Sequence, residues 1–190
     1  MESYNAELEG RELMERARNG DNAAFSLLYD RHAQDIFRYA YFRVRNVEEA
    51  EDIMQTVFMK AFEALPRFQD QGKSPLAFLF TIARNTVINQ WRKKKEVPVH
   101  DLFEVQPQLA GVVDNVVSAA ITKEMMQSAL ATAEMLTPDQ REVIMLKFMH
   151  ELDNKEIAVV LEKSEEAVRQ LQSRGLRTMR DHMKKDYDIL

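Results

Sequence analysis

The chain has 190 residues, 45% hydrophobic and 30% charged, the proportions of a soluble globular protein of one domain or two small ones. It contains no Cys, which excludes disulfides, thiolate zinc sites and a cysteine nucleophile. The formal net charge of -5 argues against a nucleic-acid partner only if charge is spread evenly.

Charge is in fact segregated. Glu48, Glu49, Glu51, Asp52 and Glu63 crowd one segment with only Lys60 opposing them. Glu96, Asp101, Glu104, Asp114, Glu124 and Glu134 fill another, opposed by Lys123. Basic residues gather at 84–95 and again at 169–185. Screening confines such fields to about 8 Å at physiological salt, so local sign matters more than the total. With only 5 Gly and 5 Pro among abundant helix formers, the composition predicts an all-α fold. No apolar run approaches the roughly 20 residues needed to cross a bilayer. Residues 1–5 lack the basic and apolar stretches of a signal peptide. The expectation is a cytoplasmic protein with no membrane insertion.

Leu8, Leu13, Met14 and Ala17 give a short helical pattern that ends at Asn19-Gly20. Asp21 then caps a second helix whose Phe25, Leu28, Tyr29, Ile36, Phe37 and Tyr41 are read as core. His32 has no second histidine at ligand spacing and is read as a packed or surface residue. Asn46 opens the third helix, with Glu49 placed for a capping box. Its buried stripe is Ala50, Ile53, Met54, Val57, Phe58, Ala61 and Leu65, closed by Pro66. The opposite side carries Glu48, Asp52, Gln55, Thr56, Met59 and Glu63. A methionine among acids and amides is unusual for a solvated face and points to a partner, although a plain charged surface has the same pattern.

Residues 67–73 form a loop that delivers the chain to 74–95, a stretch without a single acid. Ser74 is its N-cap and Pro75 its first helical residue. Leu76, Leu79, Phe80, Ala83, Val87 and Trp91 define a core stripe, and Thr81, Arg84, Asn85, Ile88, Asn89 and Arg92 another face. Positive charge beside amides suits nucleic acid, and equally a solvated basic surface on a core helix. Residues 96–115, with Pro98, Pro107 and Gly111, read as an acidic linker between domains at 1–95 and 116–190.

The second half begins with a helix near 116–135. Thr137-Pro138-Asp139-Gln140 combines N-cap, first-turn Pro and third-position Gln. Asp153-Asn154-Lys155-Glu156 is a further capping box before a short helix through Leu161. A turn at Glu162-Lys163 leads to Ser164, cap of a longer helix bearing Arg169, Arg174, Arg177 and Arg180. Two helices joined this way, the second basic, form a helix-turn-helix pattern; a bare helical hairpin is the alternative. Ala158 is small where the two helices cross.

Two sets of motifs carry a family resemblance. In the first half they are Glu49-Ala50-Glu51-Asp52-Ile53-Met54-Gln55-Thr56-Val57-Phe58, Ile82-Ala83-Arg84-Asn85 and Trp91-Arg92-Lys93. In the second they are Leu136-Thr137-Pro138-Asp139-Gln140-Arg141-Glu142-Val143, Glu156-Ile157-Ala158 and Ala167-Val168-Arg169. Residues 22–95 resemble region 2, and 116–184 region 4, of bacterial sigma-70-family factors, particularly the extracytoplasmic-function (ECF) group.

The resemblance implies a sigma factor that binds core RNA polymerase and directs promoter-specific transcription initiation. Glu48, Asp52, Gln55, Thr56 and Met59 would meet the clamp helices of the largest polymerase subunit, and the polymerase flap is a further implied contact. Phe78, Arg84, Asn85, Asn89, Arg92 and Lys93 would recognise the minus-10 element and help open it. Ser164, Glu165, Glu166, Arg169, Gln170, Ser173, Arg174 and Arg177 would face the minus-35 element. An anti-sigma factor is a further implied partner. The family's turn usually carries Gly where this chain has Glu162-Lys163, its Trp is replaced by Phe78, and Asn89 replaces a common acid.

Two other readings compete: a helix-turn-helix regulator with a helical partner-binding domain, and an interaction module without DNA. No phosphate loop, metal cluster or nucleophile constellation appears, so neither catalytic residues nor a cofactor are expected.

Overall fold

The structure is a computed structural model that describes residues 2–68, 74–94 and 135–187, with side chains over 9–68, 74–92 and 135–182. The described residues form seven α-helices and no strand. The chain divides into two compact units, Met1–Val105 and Gln106–Leu190. The linker expected at 96–115 and the helix expected near 116–135 lie outside the described residues.

The first unit contains α1 (Glu2–Arg18), α2 (Asn22–Val44), α3 (Val47–Ala64), a 3-10 turn (Leu65–Arg67) and α4 (Pro75–Lys94). Short polar residues start the helices where the periodicity does. Asp21 accepts from the Ala24 amide at 3.1 Å, and its other oxygen holds Arg16 at 2.8 Å. Those two interactions keep the Asp21 carboxyl below the usual carboxylate range, the Arg16 hydrogen bond contributing most. Gly20, at φ 93, supplies the left-handed turn between α1 and α2. Asn46 accepts from the Glu49 amide at 2.8 Å. The Glu49 carboxylate also reaches α4, where it accepts from Gln90 Nε2 at 3.1 Å.

Leu13, Met14, Ala17, Ala24, Leu28 and Leu65 form a buried cluster, with Phe25, Phe68 and Phe78 packed against it. Ile36, Tyr39, Ile53, Val57, Phe80, Ala83 and Val87 are also buried, and the Tyr39 and Phe80 rings meet edge-on at 5.1 Å. Each fully buried Leu, Ile, Val or Phe among them contributes about 1.5–3 kcal/mol by leaving water. Arg43 is buried beside them. Its guanidinium lies 3.3 Å from the Tyr39 ring centroid and donates to the Tyr39 carbonyl at 2.9 Å, so its charge has both a π face and an acceptor.

Several core expectations need correction: on α2, Tyr29 is exposed, and Phe25, Phe37 and Tyr41 are half-buried. Leu76 and Trp91, placed on the buried stripe of α4, are half-buried, as is Met54 on α3. Thr86 takes a core place instead, because Lys60 Nζ donates to its hydroxyl at 3.1 Å and satisfies it there.

The second unit contains α5 (Pro138–Phe148), α6 (Asn154–Leu161) and α7 (Glu165–Tyr187). Both expected capping boxes form: Thr137 with Gln140 at 3.1 and 3.4 Å, and Asp153 with Glu156 at 2.7 and 2.8 Å. Leu136, Val143, Leu146, Leu152, Ile157, Val160, Leu161 and Val168 supply the core. A Cβ added at Gly175 would stand 3.2 Å from Ile144 Cγ1, so the missing side chain lets α7 approach α5 closely.

Candidate nucleic-acid interface

Three helical surfaces carry the residues singled out in the sequence. The first is on α4. Ser74 Oγ accepts from the Ala77 amide at 3.1 Å, the expected N-cap. Pro75 is buried against α1, where a Cβ on Gly10 would come within 3.1 Å of its ring. With one face fixed in the core, α4 presents Asn85, Asn89 and Arg92 to solvent, flanked by half-buried Arg84 and Ile88. Among the described residues no carboxylate pairs with Arg84 or Arg92.

Phe78 stands seven residues before Asn85 and therefore on the same stripe. There the stripe is covered: Phe78 is half-buried, with the Phe68 ring edge-on at 4.7 Å. The structure thus brings Arg84, Asn85, Asn89 and Arg92 together and sets Phe78 apart under Phe68. Lys93 lies in the last turn of α4, where its side chain is outside the described residues.

The second surface is on α3. Glu48, Asp52 and Gln55 are exposed and Thr56 is half-buried. Met59 is 58% exposed. Phe62, which sequence reasoning missed, continues this face at 49% exposure, with Phe25 of α2 edge-on at 5.0 Å. Its signal was the spacing: Asp52, Gln55, Met59 and Phe62 follow one another at intervals of three and four. The face is an acidic run that ends in apolar surface. Thr86 and Gln90, also missed, bond across to Lys60 and Glu49, so α3 and α4 are laterally tied as well as packed.

The third surface is on α7. Between α6 and α7, Glu162 adopts φ 54 and ψ 42, a left-handed conformation that costs a non-glycine residue about 1–2 kcal/mol. The Lys163 amide donates to the Ala158 carbonyl at 3.0 Å, and Lys163 Nζ pairs with Asp139 at 3.0 Å, which offset that strain. Ser164 Oγ then accepts from the Ala167 amide at 3.2 Å and starts α7. Glu165, Glu166, Arg169, Gln170, Ser173, Arg174 and Arg177 are all exposed on this helix.

The head of α7 carries its own ion pairs. Arg169 Nε donates to Glu166 Oε2 at 3.2 Å, and its Nη1 approaches Glu165 Oε2 at 3.5 Å. Gln170 Nε2 donates to Glu166 Oε1 at 3.3 Å. The hydrogen bond from Gln170, followed by that from Arg169, holds the Glu166 carboxyl below the usual carboxylate range. Among the described residues no group of acidic and imidazole side chains is placed to hold a metal ion, and no helix is long and apolar enough to cross a membrane.

With this geometry in place, comparison with known proteins is specific. Residues 28–97 match the family described as Sigma-70 region 2, and residues 126–179 match Sigma-70, region 4. The ECF RNA polymerase sigma factor SigX of Bacillus subtilis is 30% identical over 84% of this chain and 83% of its own length. The ECF RNA polymerase sigma factor BldN of Streptomyces coelicolor is 33% identical over 88% of this chain, which spans 63% of the length of BldN. Among solved structures, CnrH in complex with the cytosolic domain of CnrY shares the fold at a TM-score of 0.67 and 23% identity, over 94% of this chain and 99% of that one. RpoE of Bartonella quintana, solved with the anti-sigma factor NepR, has a TM-score of 0.62 at 23% identity, over 84% of this chain and 96% of that one. The chain belongs to the sigma-70 family, within its ECF RNA polymerase sigma factor group.

Proposed function

We propose that this chain is the promoter-specificity subunit of a bacterial RNA polymerase, acting without catalytic residues of its own. The observation that carries the reading is the pairing inside the first unit. A face of acids, amides and apolar groups on α3 is tied to an acid-free face of amides and arginines on α4. Glu48, Asp52, Gln55, Thr56 and Met59, extended by Phe62, form the polymerase-facing surface. An apolar anchor rimmed by polar groups suits a protein partner.

On α4, Arg84, Asn85, Asn89, Arg92 and Lys93 contact the minus-10 element. Bases that leave the duplex stack need amide partners beside cations, and this face offers both. Phe78 joins them only if Phe68 moves aside. Residues 164–177 of α7 face the minus-35 duplex, with Arg169, Gln170 and Arg174 toward the bases and Arg177 toward phosphate. An anti-sigma partner is inferred by analogy with RpoE, which was solved in complex with the anti-sigma factor NepR. The site of action is the cytoplasm, where the polymerase works.

Reconstitution tests the reading. Core polymerase plus this protein should initiate at a defined promoter, whereas neither component does so alone; no gain over core alone would overturn it. Within that assay, Asn85→Ala should lower promoter opening, read by permanganate reactivity of unpaired thymines, by about tenfold, the worth of one good base contact. Affinity for core polymerase should stay unchanged, and equal loss of both would remove Asn85 from the opening face.

A further inference from the structure

The family places α7 on DNA but leaves open what the two carboxylates at its head do there. An acid among DNA-facing cations opposes phosphate, yet the contacts of Glu166 give it a use. Glu166 uses both oxygens, one on Arg169 Nε and one on Gln170 Nε2. It lies three and four residues before them, the spacing at which side chains on one helix face meet. The same bonds, that from Gln170 first, hold its carboxyl below the usual carboxylate range.

The donors left over are informative. Arg169, held at Nε by Glu166 and through one Nη1 hydrogen by Glu165, keeps Nη2 and the second Nη1 hydrogen, which can donate to O6 and N7 of a guanine. Gln170, held by one amide hydrogen, keeps the other and its carbonyl oxygen, the pair needed for N7 and N6 of an adenine. Glu166 therefore consumes only the part of each side chain that base reading does not need. Meanwhile Glu165, Glu166 and Arg169 together carry a net negative charge, so this part of α7 has no attraction for phosphate in general.

The geometry assigns to Glu166 the role of a specificity-determining positioning residue, one that pre-aligns Arg169 and Gln170 for adjacent purines and suppresses sequence-independent binding. The inference rests on the reading of α7 as the duplex-facing helix.

The test uses holoenzyme reconstituted from core polymerase and the full chain, selected on promoters with a randomised upstream element. Wild type is compared with Glu166→Ala, Glu166→Gln and Arg169→Ala. Glu166→Ala should lower discrimination at two adjacent upstream positions by about tenfold, the scale of one lost bidentate contact. Glu166→Gln keeps an acceptor but not the charge, so its profile should broaden less. In both, freeing Arg169 for one more phosphate should steepen the log–log salt dependence of binding to scrambled duplex by about 0.9. Thermal stability, which a merely structural role would move, should stay the same. A Glu166→Ala profile that superimposes on wild type while Arg169→Ala broadens or shifts it overturns the inference alone. If all variants keep the wild-type profile, the inference falls together with the placement of α7 on DNA.

Discussion

The two helices assigned to DNA solve the problem of aiming polar side chains in opposite ways. α4 is embedded: Ala77, Leu79, Phe80, Ala83, Thr86 and Val87 are buried, and Lys60 and Glu49 of α3 hold it from the side. Its arginines need no carboxylate to orient them, and Arg84 and Arg92 pair with none among the described residues. α7 is anchored chiefly through Val168 and Gly175, and its solvent side is broad. There the orientation of Arg169 and Gln170 comes from neighbouring carboxylates on the same helix. A face that captures bases already leaving a duplex gains from unmasked cations on a rigid support. A face that inspects intact duplex gains from cations held back until the sequence fits.

The largest expected effect tests the embedding of α4. Phe80 is fully buried with its ring against Tyr39. Phe80→Ala should cost about 3–5 kcal/mol, the range for removing a buried aromatic. The chain has one tryptophan, Trp91, which lies half-buried on α4, so its emission reports unfolding of the first unit. A denaturant midpoint of Trp91 emission that does not move would show that α4 is held by something other than its core stripe.

The devices that start the helices were readable from the sequence because they are local. Thr137 with Gln140, Asp153 with Glu156, and Asp21, Asn46 and Ser74 each act within three residues, and every one caps where expected. The turn at Glu162-Lys163 was legible for the same reason. What escaped depends on neighbours far along the chain. Thr86 is buried because Lys60, 26 residues away, satisfies its hydroxyl. Phe78 falls on the predicted stripe, yet Phe68 covers it. Glu49 has the spacing of a capping box, and its carboxylate also accepts from Gln90, 41 residues on. Phe62 is the exception: it looks like core by residue type, but its spacing from Asp52, Gln55 and Met59 already places it on the exposed face.

An intermediate effect separates lateral from terminal anchoring. Thr86→Val removes the acceptor of Lys60 at nearly constant volume and should cost about 1 kcal/mol, since Lys60 returns to water. Ser164→Ala removes the cap of α7 and should also cost about 1 kcal/mol. The first change should shift the Trp91 transition and the second should leave it still while lowering helix content on heating. If Ser164→Ala moved Trp91 emission, the two units would not unfold independently, and the contrast between their helices would need another basis.

The smallest effect concerns pH and the first unit alone. Its described residues hold a single histidine, His32, half-buried on α2. Burial lowers its pKa from the usual 6.5, Arg31 adds to the fall, and Asp35 opposes it. The sign follows from proton counting. Below 6.5 the unfolded chain binds a proton that the folded chain declines, so stability is greatest above 6.5 and falls as pH drops toward the folded pKa. Asp21 acts in the same direction only at much lower pH, since its carboxyl starts from 3.8 and is lowered further. Between pH 7.5 and 5.5 the loss seen by Trp91 emission should therefore trace to His32, and His32→Gln should flatten it. An undiminished slope in that variant would place the titrating group elsewhere and leave His32 as packing alone.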